Sequence, residues 1–248
     1  MVWRWAAASE IGTSHIRSGD RLQDAFAVSA IGDSHVFAVV CDGAGSAKFG
    51  YSGAWLCCRV LTVRFREWVW ENGSTPDDET VRGWIDEVRD RISTAADRRK
   101  TSPRQFASTL AAVLIGPNEL LALHIGDTAI VGRCGSKWDA ICWPENGEYA
   151  STTFFITDDP EPRLNIVRQD RLHDAFALLS DGVGSLALSE QDKRAHHGFF
   201  NPMMRPVDSA AGAGRLKELS QKLGGYLSGP AVCERTDDDK TLVLLSGV

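Results

Sequence analysis

Two short acidic turns hold the residues of this chain best suited to chemistry. One closes the apolar run His35-Val36-Phe37-Ala38-Val39-Val40-Cys41 with Asp42-Gly43-Ala44-Gly45. The other closes Ala175-Phe176-Ala177-Leu178-Leu179 with Ser180-Asp181-Gly182-Val183-Gly184. A third acidic stretch, Asp237-Asp238-Asp239, stands before Lys240 and the apolar run 241–245. Asp24 opens an early strand-like segment, and Asp127 sits in a Gly126-Asp127 turn between two more. Carboxylates held at strand ends by glycine turns make oxygen-rich sites for hard cations. If these strand ends lie side by side, the carboxylates repel one another, and divalent cations relieve the repulsion. Oxygen ligands without cysteine and with little histidine favour Mg²⁺ or Mn²⁺ over Zn²⁺.

The elements that must position these residues follow from periodicity. Strands are expected over 3–9, 24–31 and 35–41, the last apolar throughout, as for a strand covered on both faces. Apolar residues at helical spacing predict a helix from about 50 to 70, ended by Asn72-Gly73-Ser74-Thr75-Pro76. A second helix is expected over 77–98, with acidic residues in its first turn. Residues 108–115, 119–125 and 128–134 read as a meander, with a further strand over 137–143. The polar stretch 144–162 reads as a surface excursion. Strands resume at 164–168 and 174–180. Residues 184–206 read as irregular, 207–224 as a helix and 241–246 as a closing strand. Helices flanking strand runs, without regular alternation, imply an α+β fold. No shift in composition divides the chain, so residues 1–248 are expected to form one domain.

Bulk properties narrow the function classes. The chain has 248 residues, 43% hydrophobic and 24% charged, with a net charge of -6. That balance argues against a dedicated nucleic-acid binder. No run approaches the roughly 20 apolar residues of a membrane span, and the N-terminal residues do not read as a signal peptide. The six cysteines contain no C-x-x-C pair and mostly lie in apolar runs, so buried reduced thiols in a cytoplasmic protein are expected.

Several sharper patterns fail. Gly43 to Gly50 lacks the order of a nucleotide phosphate loop, and no Gly-x-Ser-x-Gly elbow is present. His196-His197 lies far from other ligand types and reads as surface loop. Trp55, Trp68, Trp70 and Trp84 fall in helical periodicity and read as helix-to-sheet packing.

A lone Asp-Gly is a common turn; the ordered set is more specific. Gln23-Asp24-Ala25, Asp42-Gly43-Ala44-Gly45-Ser46, Ser108-Thr109-Leu110, Ile125-Gly126-Asp127-Thr128, Ser180-Asp181-Gly182 and Asp237-Asp238-Asp239-Lys240-Thr241 occur in that order. Together they resemble the metal-dependent type 2C protein serine/threonine phosphatases, in their compact bacterial branch, over about residues 9–246. The resemblance implies a four-layer α-β-β-α sandwich with two antiparallel sheets and a binuclear Mn²⁺ or Mg²⁺ centre at one end. Asp42 matches the acid that bridges both metals, and the Gly43 carbonyl a ligand of the second. Asp181 and Asp238 match acids on the first metal, with Asp237 the rival ligand if the register slips by one. Asp127 resembles the acid of a third, weaker site. Asp24 matches an early acid near the second metal.

One stretch departs from the family. Many members carry an Arg shortly before the early acid to grip the phosphate, and neither Arg17 nor Arg21 falls at that offset. His15 and Arg17 are the candidates for leaving-group protonation and phosphate contact.

The implied function is phosphoserine and phosphothreonine hydrolysis by metal-activated water in the cytoplasm. Its partner would be a phosphorylated protein, such as a protein kinase or its target, with neither nucleic acid nor membrane involved. A catalytically weak regulatory or scaffold domain of the same fold is the alternative, as is hydrolysis of a small phosphorylated metabolite.

Overall fold

The structure, a computed structural model, describes residues 2–147 and 153–247. In chain order the elements are β1 Trp3–Glu10, α1 Thr13–Ser18, β2 Ala25–Ile31, β3 His35–Cys41, α2 Gly50–Asn72, α3 Asp78–Arg98, β4 Leu110–Ile115, β5 Glu119–Ile125, β6 Ala129–Cys134 and β7 Lys137–Cys142. They continue with β8 Asn165–Asp170, β9 Ala175–Leu179, α4 Asp181–Ala187, β10 Leu188–Ser189, β11 Arg194–Ala195, α5 His197–Asp208, β12 Gly214–Arg215, α6 Lys217–Leu227, α7 Pro230–Cys233 and β13 Lys240–Gly247.

The strands form two large sheets, ordered β12-β1-β13-β9-β6-β7 and β2-β3-β4-β5-β8. All their pairings are antiparallel except the two-residue edge pairing of β12 with β1. Side-chain alternation produces the layers. Val36, Ala38 and Val40 of β3 meet Phe176, Leu178, Val243 and Leu245 between the sheets. The intervening Phe37, Val39 and Cys41 face α2 and α3, packing with Leu61, Phe65 and Ile85. On the other sheet, Ala177, Leu179, Leu242 and Leu244 face outward to Phe200, Met204 and Leu223 of α5 and α6. The result is an α+β sandwich of four layers, α-β-β-α. Strands covered on both faces read as unbroken apolar runs because neither face alternates with solvent.

Local chemistry sets the helix boundaries. Asp77 caps α3, its side chain accepting from Thr80 N at 2.8 Å. Gly73 ends α2 in the left-handed conformation, φ 67°, its N–H reaching Val69 O.

The structure corrects several expectations. Residues 184–206 are not irregular: α4 ends at Ala187, a two-stranded ribbon of β10 and β11 follows, and α5 begins at His197 despite Pro202 and Pro206 within it. The later helix is α6, starting ten residues after the expected 207, because 209–216 form a bend and the edge strand β12. In the excursion 144–162, Phe155, Ile156 and Thr157 fold back and are buried, while 148–152 lie outside the described residues. Trp68 and Trp84 stack edge-on with centroids 6.0 Å apart, but Trp55 and Trp70 are 42% and 71% exposed and do not pack on the sheet. All six cysteines are unpaired, with Cys134 exposed.

Candidate metal centre

The acidic turns converge at one end of the sandwich. Asp42 follows β3, Asp127 sits in the β5–β6 turn and Asp181 begins α4 at the end of β9. Each offers a carboxylate oxygen, and those oxygens lie within 4.8 Å of one another. Asp42 and Asp127 are half-buried and Asp181 faces the mouth. Asp127 reaches this point because Gly126 turns the chain at φ 93°, a conformation that favours glycine.

Asp24 lies beneath the cluster and is 1% exposed. Its Oδ2 accepts from Ser180 Oγ at 2.8 Å and Thr241 Oγ1 at 2.7 Å. Ser180 Oγ in turn accepts from Thr241 N at 2.9 Å. Asp24 is thereby tied to the β9–α4 junction and to β13. Asp24 Oδ1 and Asp127 Oδ1 are buried without a hydrogen-bond partner. An oxygen-only donor set with orphaned carboxylate oxygens fits a hard divalent cation.

Without a cation the charges conflict. Burial, then the charges of Asp24, Asp181 and Asp127, push the Asp42 carboxyl well above the usual range. Asp181 is raised to about 7 by the protein packed around its carboxyl and by Asp127 and Asp238, although it keeps solvent contact at the mouth. Burial also raises Asp24 to about 7, against the opposing hydroxyls of Thr241 and Ser180. Asp127 is raised, again chiefly by burial.

The loop before β13 sorts its three aspartates by direction. Asp237 is exposed and pairs outward with Arg17 at 2.9 Å. Asp238 stands beside the cluster, close enough for its charge to raise Asp181 and Asp127, but outside the 4.8 Å group. Asp239 turns inward, 2% exposed, and accepts from Gly12 N and Gln23 N, each at 2.6 Å. The loop can approach Asp181 because residue 182 is glycine: a Cβ there would lie 1.9 Å from Asp239 O. Lys240, fully buried, ties the Asp238 carbonyl to that of Ile11 with bonds of 3.0 and 3.2 Å.

Gly43 is buried beside Asp42 and bridges to Ser108. With its amide oriented to donate, the Gln23 side-chain nitrogen lies 3.1 Å from Gly43 O and 3.0 Å from Ala44 O. A carbonyl oxygen can accept a second partner besides Gln23.

The two candidates for substrate contact separate. His15 on α1 has Nδ1 3.0 Å from Asp239 Oδ1, within ion-pair reach but without hydrogen-bond alignment. Arg17, two residues further and so on the opposite side of α1, points outward to Asp237, its side chain 67% exposed. The structure therefore gathers Asp24, Asp42, Gly43, Asp127, Asp181 and Asp238 at one place, sets His15 at its edge and leaves Arg17 at the surface. Sequence reasoning missed Ser180, Thr241, Gln23 and Asp239 as the residues that hold the acids in place. The hydroxyl of Ser180 next to Asp181, and that of Thr241 at the start of β13, were the available signals.

Comparison with known proteins agrees with this geometry. Residues 11–228 match the family model described as protein phosphatase 2C. The chain is 34% identical over 249 residues to serine/threonine-protein phosphatase 3 of Escherichia coli (strain K12), covering 98% of both chains. Its fold resembles that of the serine/threonine phosphatase Stp1 from Staphylococcus aureus, with TM-score 0.66 and 14% identity, covering 98% of this chain and 94% of that one. It also resembles the catalytic domain of the serine threonine protein phosphatase PstP solved with two manganese ions, with TM-score 0.61 and 16% identity, covering 99% and 98%. Taken with the converging acids at the end of an α-β-β-α sandwich, these matches place the chain in the protein phosphatase 2C family, the metal-dependent protein serine/threonine phosphatases.

Proposed function

We propose that this protein hydrolyses phosphoserine and phosphothreonine in proteins, using two Mn²⁺ or Mg²⁺ ions held by Asp42, Gly43, Asp181 and Asp238. Asp127 would help hold a third, weaker ion, and Asp24 would act from beneath. The observation that carries this reading is the convergence of Asp42, Asp127 and Asp181 oxygens within 4.8 Å. Bound divalent cations supply an activated water and neutralise the charge that develops in an in-line displacement at phosphorus.

The chain's own groups do the rest. Asp24, fixed by Ser180 and Thr241, keeps the floor of the site rigid. Gln23 orients the Gly43 carbonyl. His15, within ion-pair reach of Asp239, would protonate the departing serine or threonine oxygen. Arg17 would meet the phosphate by leaving Asp237, an exposed pair whose opening costs about 1 kcal/mol or less. Six unpaired cysteines fit a reducing compartment such as the cytoplasm. The substrate protein would be a regulator carrying phosphoserine or phosphothreonine, such as a protein kinase or its target.

The test is steady-state hydrolysis of a phosphoserine peptide after exhaustive chelation and after Mn²⁺ return. Activity should vanish with chelator and come back with Mn²⁺, less fully with Mg²⁺. Undiminished turnover in chelator would remove the reading.

A further inference from the structure

A groove of about 730 Å³ shares Gln23 with the surroundings of the acidic cluster: Gln23 lines the groove, and its side chain reaches the Gly43 carbonyl next to Asp42. Its walls come largely from the segment leading to Asp24 and from the loop after Asp42, including Gln23 and Gly45. Arg21, Lys48 and Arg99 line it, with Asp20 as the one carboxylate among its lining residues. All three cations are exposed, and among the described residues none of them forms a salt bridge. Asp20 is engaged instead by Ser18 Oγ at 2.6 Å.

Two of the cations are held in place. Arg99 Cζ lies 5.0 Å from the Phe49 ring centre and 5.5 Å from that of Phe106. Lys48 Nζ lies 5.6 Å from the Phe49 ring centre. Cation–π contact of this kind positions a charge without neutralising it. In a chain of net charge -6, a groove lined by three cations and one carboxylate near an acidic centre is a local reversal of field. It cannot serve the metal ions, which it repels. It suits anionic groups that arrive with the substrate.

Resting on the phosphatase reading above, we propose that this groove binds acidic residues flanking the phosphorylated serine or threonine, and so selects phosphoproteins modified within an acidic segment. A substrate whose phosphate reaches the cluster must run its neighbouring residues over the surface around it, and the groove's lining residue Gln23 adjoins Asp24 in the chain. Carboxylate side chains spaced along an extended peptide can each meet one of Arg21, Lys48 and Arg99. Electrostatic complementarity of this type governs specificity and encounter rate more than raw affinity.

The test compares phosphoserine peptides of one length, flanked by Asp and Glu, by Ala, or by a second phosphoserine, with an aryl phosphate that has no flanks. It uses the wild type and Arg21→Glu/Lys48→Glu, which leaves Arg99 and its aromatic contacts in place. Wild type should prefer the acidic peptide over the alanine peptide about tenfold in kcat/KM, through KM, and rising salt should narrow the gap. The double variant should lose that preference and keep its rate on the aryl phosphate. Equal rates on acidic and alanine peptides in the wild type would overturn the proposal, as would equal losses on every substrate in the variant. A preference for the doubly phosphorylated peptide alone would overturn the assignment to carboxylates. If the wild type fails on the aryl phosphate with Mn²⁺, the phosphatase reading itself fails. Fluorescence anisotropy of the labelled acidic peptide then still reads the groove: binding lost in the double variant supports it, and binding retained refutes it.

Discussion

Single side chains decide the chemistry here, and their charges make it testable. Asp42, Asp181, Asp24 and Asp127 all have raised carboxyl pKa values in the metal-free protein. An acid whose folded pKa lies above its unfolded value stabilises the fold fully below the unfolded pKa, and that contribution is lost as pH rises through the folded pKa. For Asp24 and Asp181 the window runs from the ordinary carboxylate range near 4 up to about 7. The melting temperature of metal-free protein should therefore fall between about pH 4 and pH 7, and Mn²⁺ should flatten that fall. A flat profile in chelator would deny the repulsion. Asp42→Ala should cost on the order of 10²-fold or more in rate, because it removes the central acid of the cluster. His197→Ala, at an exposed position remote from these acids in sequence, should cost little. His15→Ala should lower kcat on phosphoserine peptides but spare aryl phosphates, whose leaving group needs no proton. Arg17→Ala should raise KM with bound metal unchanged. These acids could be picked out in the sequence because each follows a strand-like run. Asp239 was not legible as a tie to Gly12 and Gln23, because its partners are backbone groups more than 200 residues away.

Secondary elements set where those side chains stand. The turn from β9 into α4 and the loop before β13 approach so closely that only glycine fits at 182. A Cβ there meets backbone, which cannot swing aside as a flexible side chain would. Gly182→Ala should displace the 237–239 loop, lower the melting temperature and weaken metal binding together. Calorimetry with Mn²⁺ checks this, and wild-type affinity in the variant would show that the contact does not position the site. The long elements were legible because periodicity and breakers agreed, as in α2 with Gly73 and α3 with Asp77. The stretch 184–206 was misread because Pro202 and Pro206 suggest a loop, whereas burial of Phe200, Met204 and Val207 stabilises α5 around them. Tertiary packing there overrides local propensity.

At the scale of the whole molecule, the sandwich brings acids distant in sequence to one end of two sheets. Strands β3 and β9 lie in different sheets, so Asp42 and Asp181 meet only when the sheets pack through Val36, Val40, Phe176 and Leu178. Sequence order suggested that convergence through family resemblance; apolar pattern alone gave the strands but not their pairing across the interface. The central claim is that the converging carboxylates form a cation-dependent phosphate-ester centre. The most direct measurement is a Mn²⁺ titration of chelated protein in which bound metal and phosphoserine-peptide turnover are followed together, for wild type and for Asp181→Asn. Turnover should rise in step with tight metal binding in the wild type, and both should fall together in Asp181→Asn. Turnover that proceeds without bound metal, or that survives in Asp181→Asn while its metal is lost, would contradict the account.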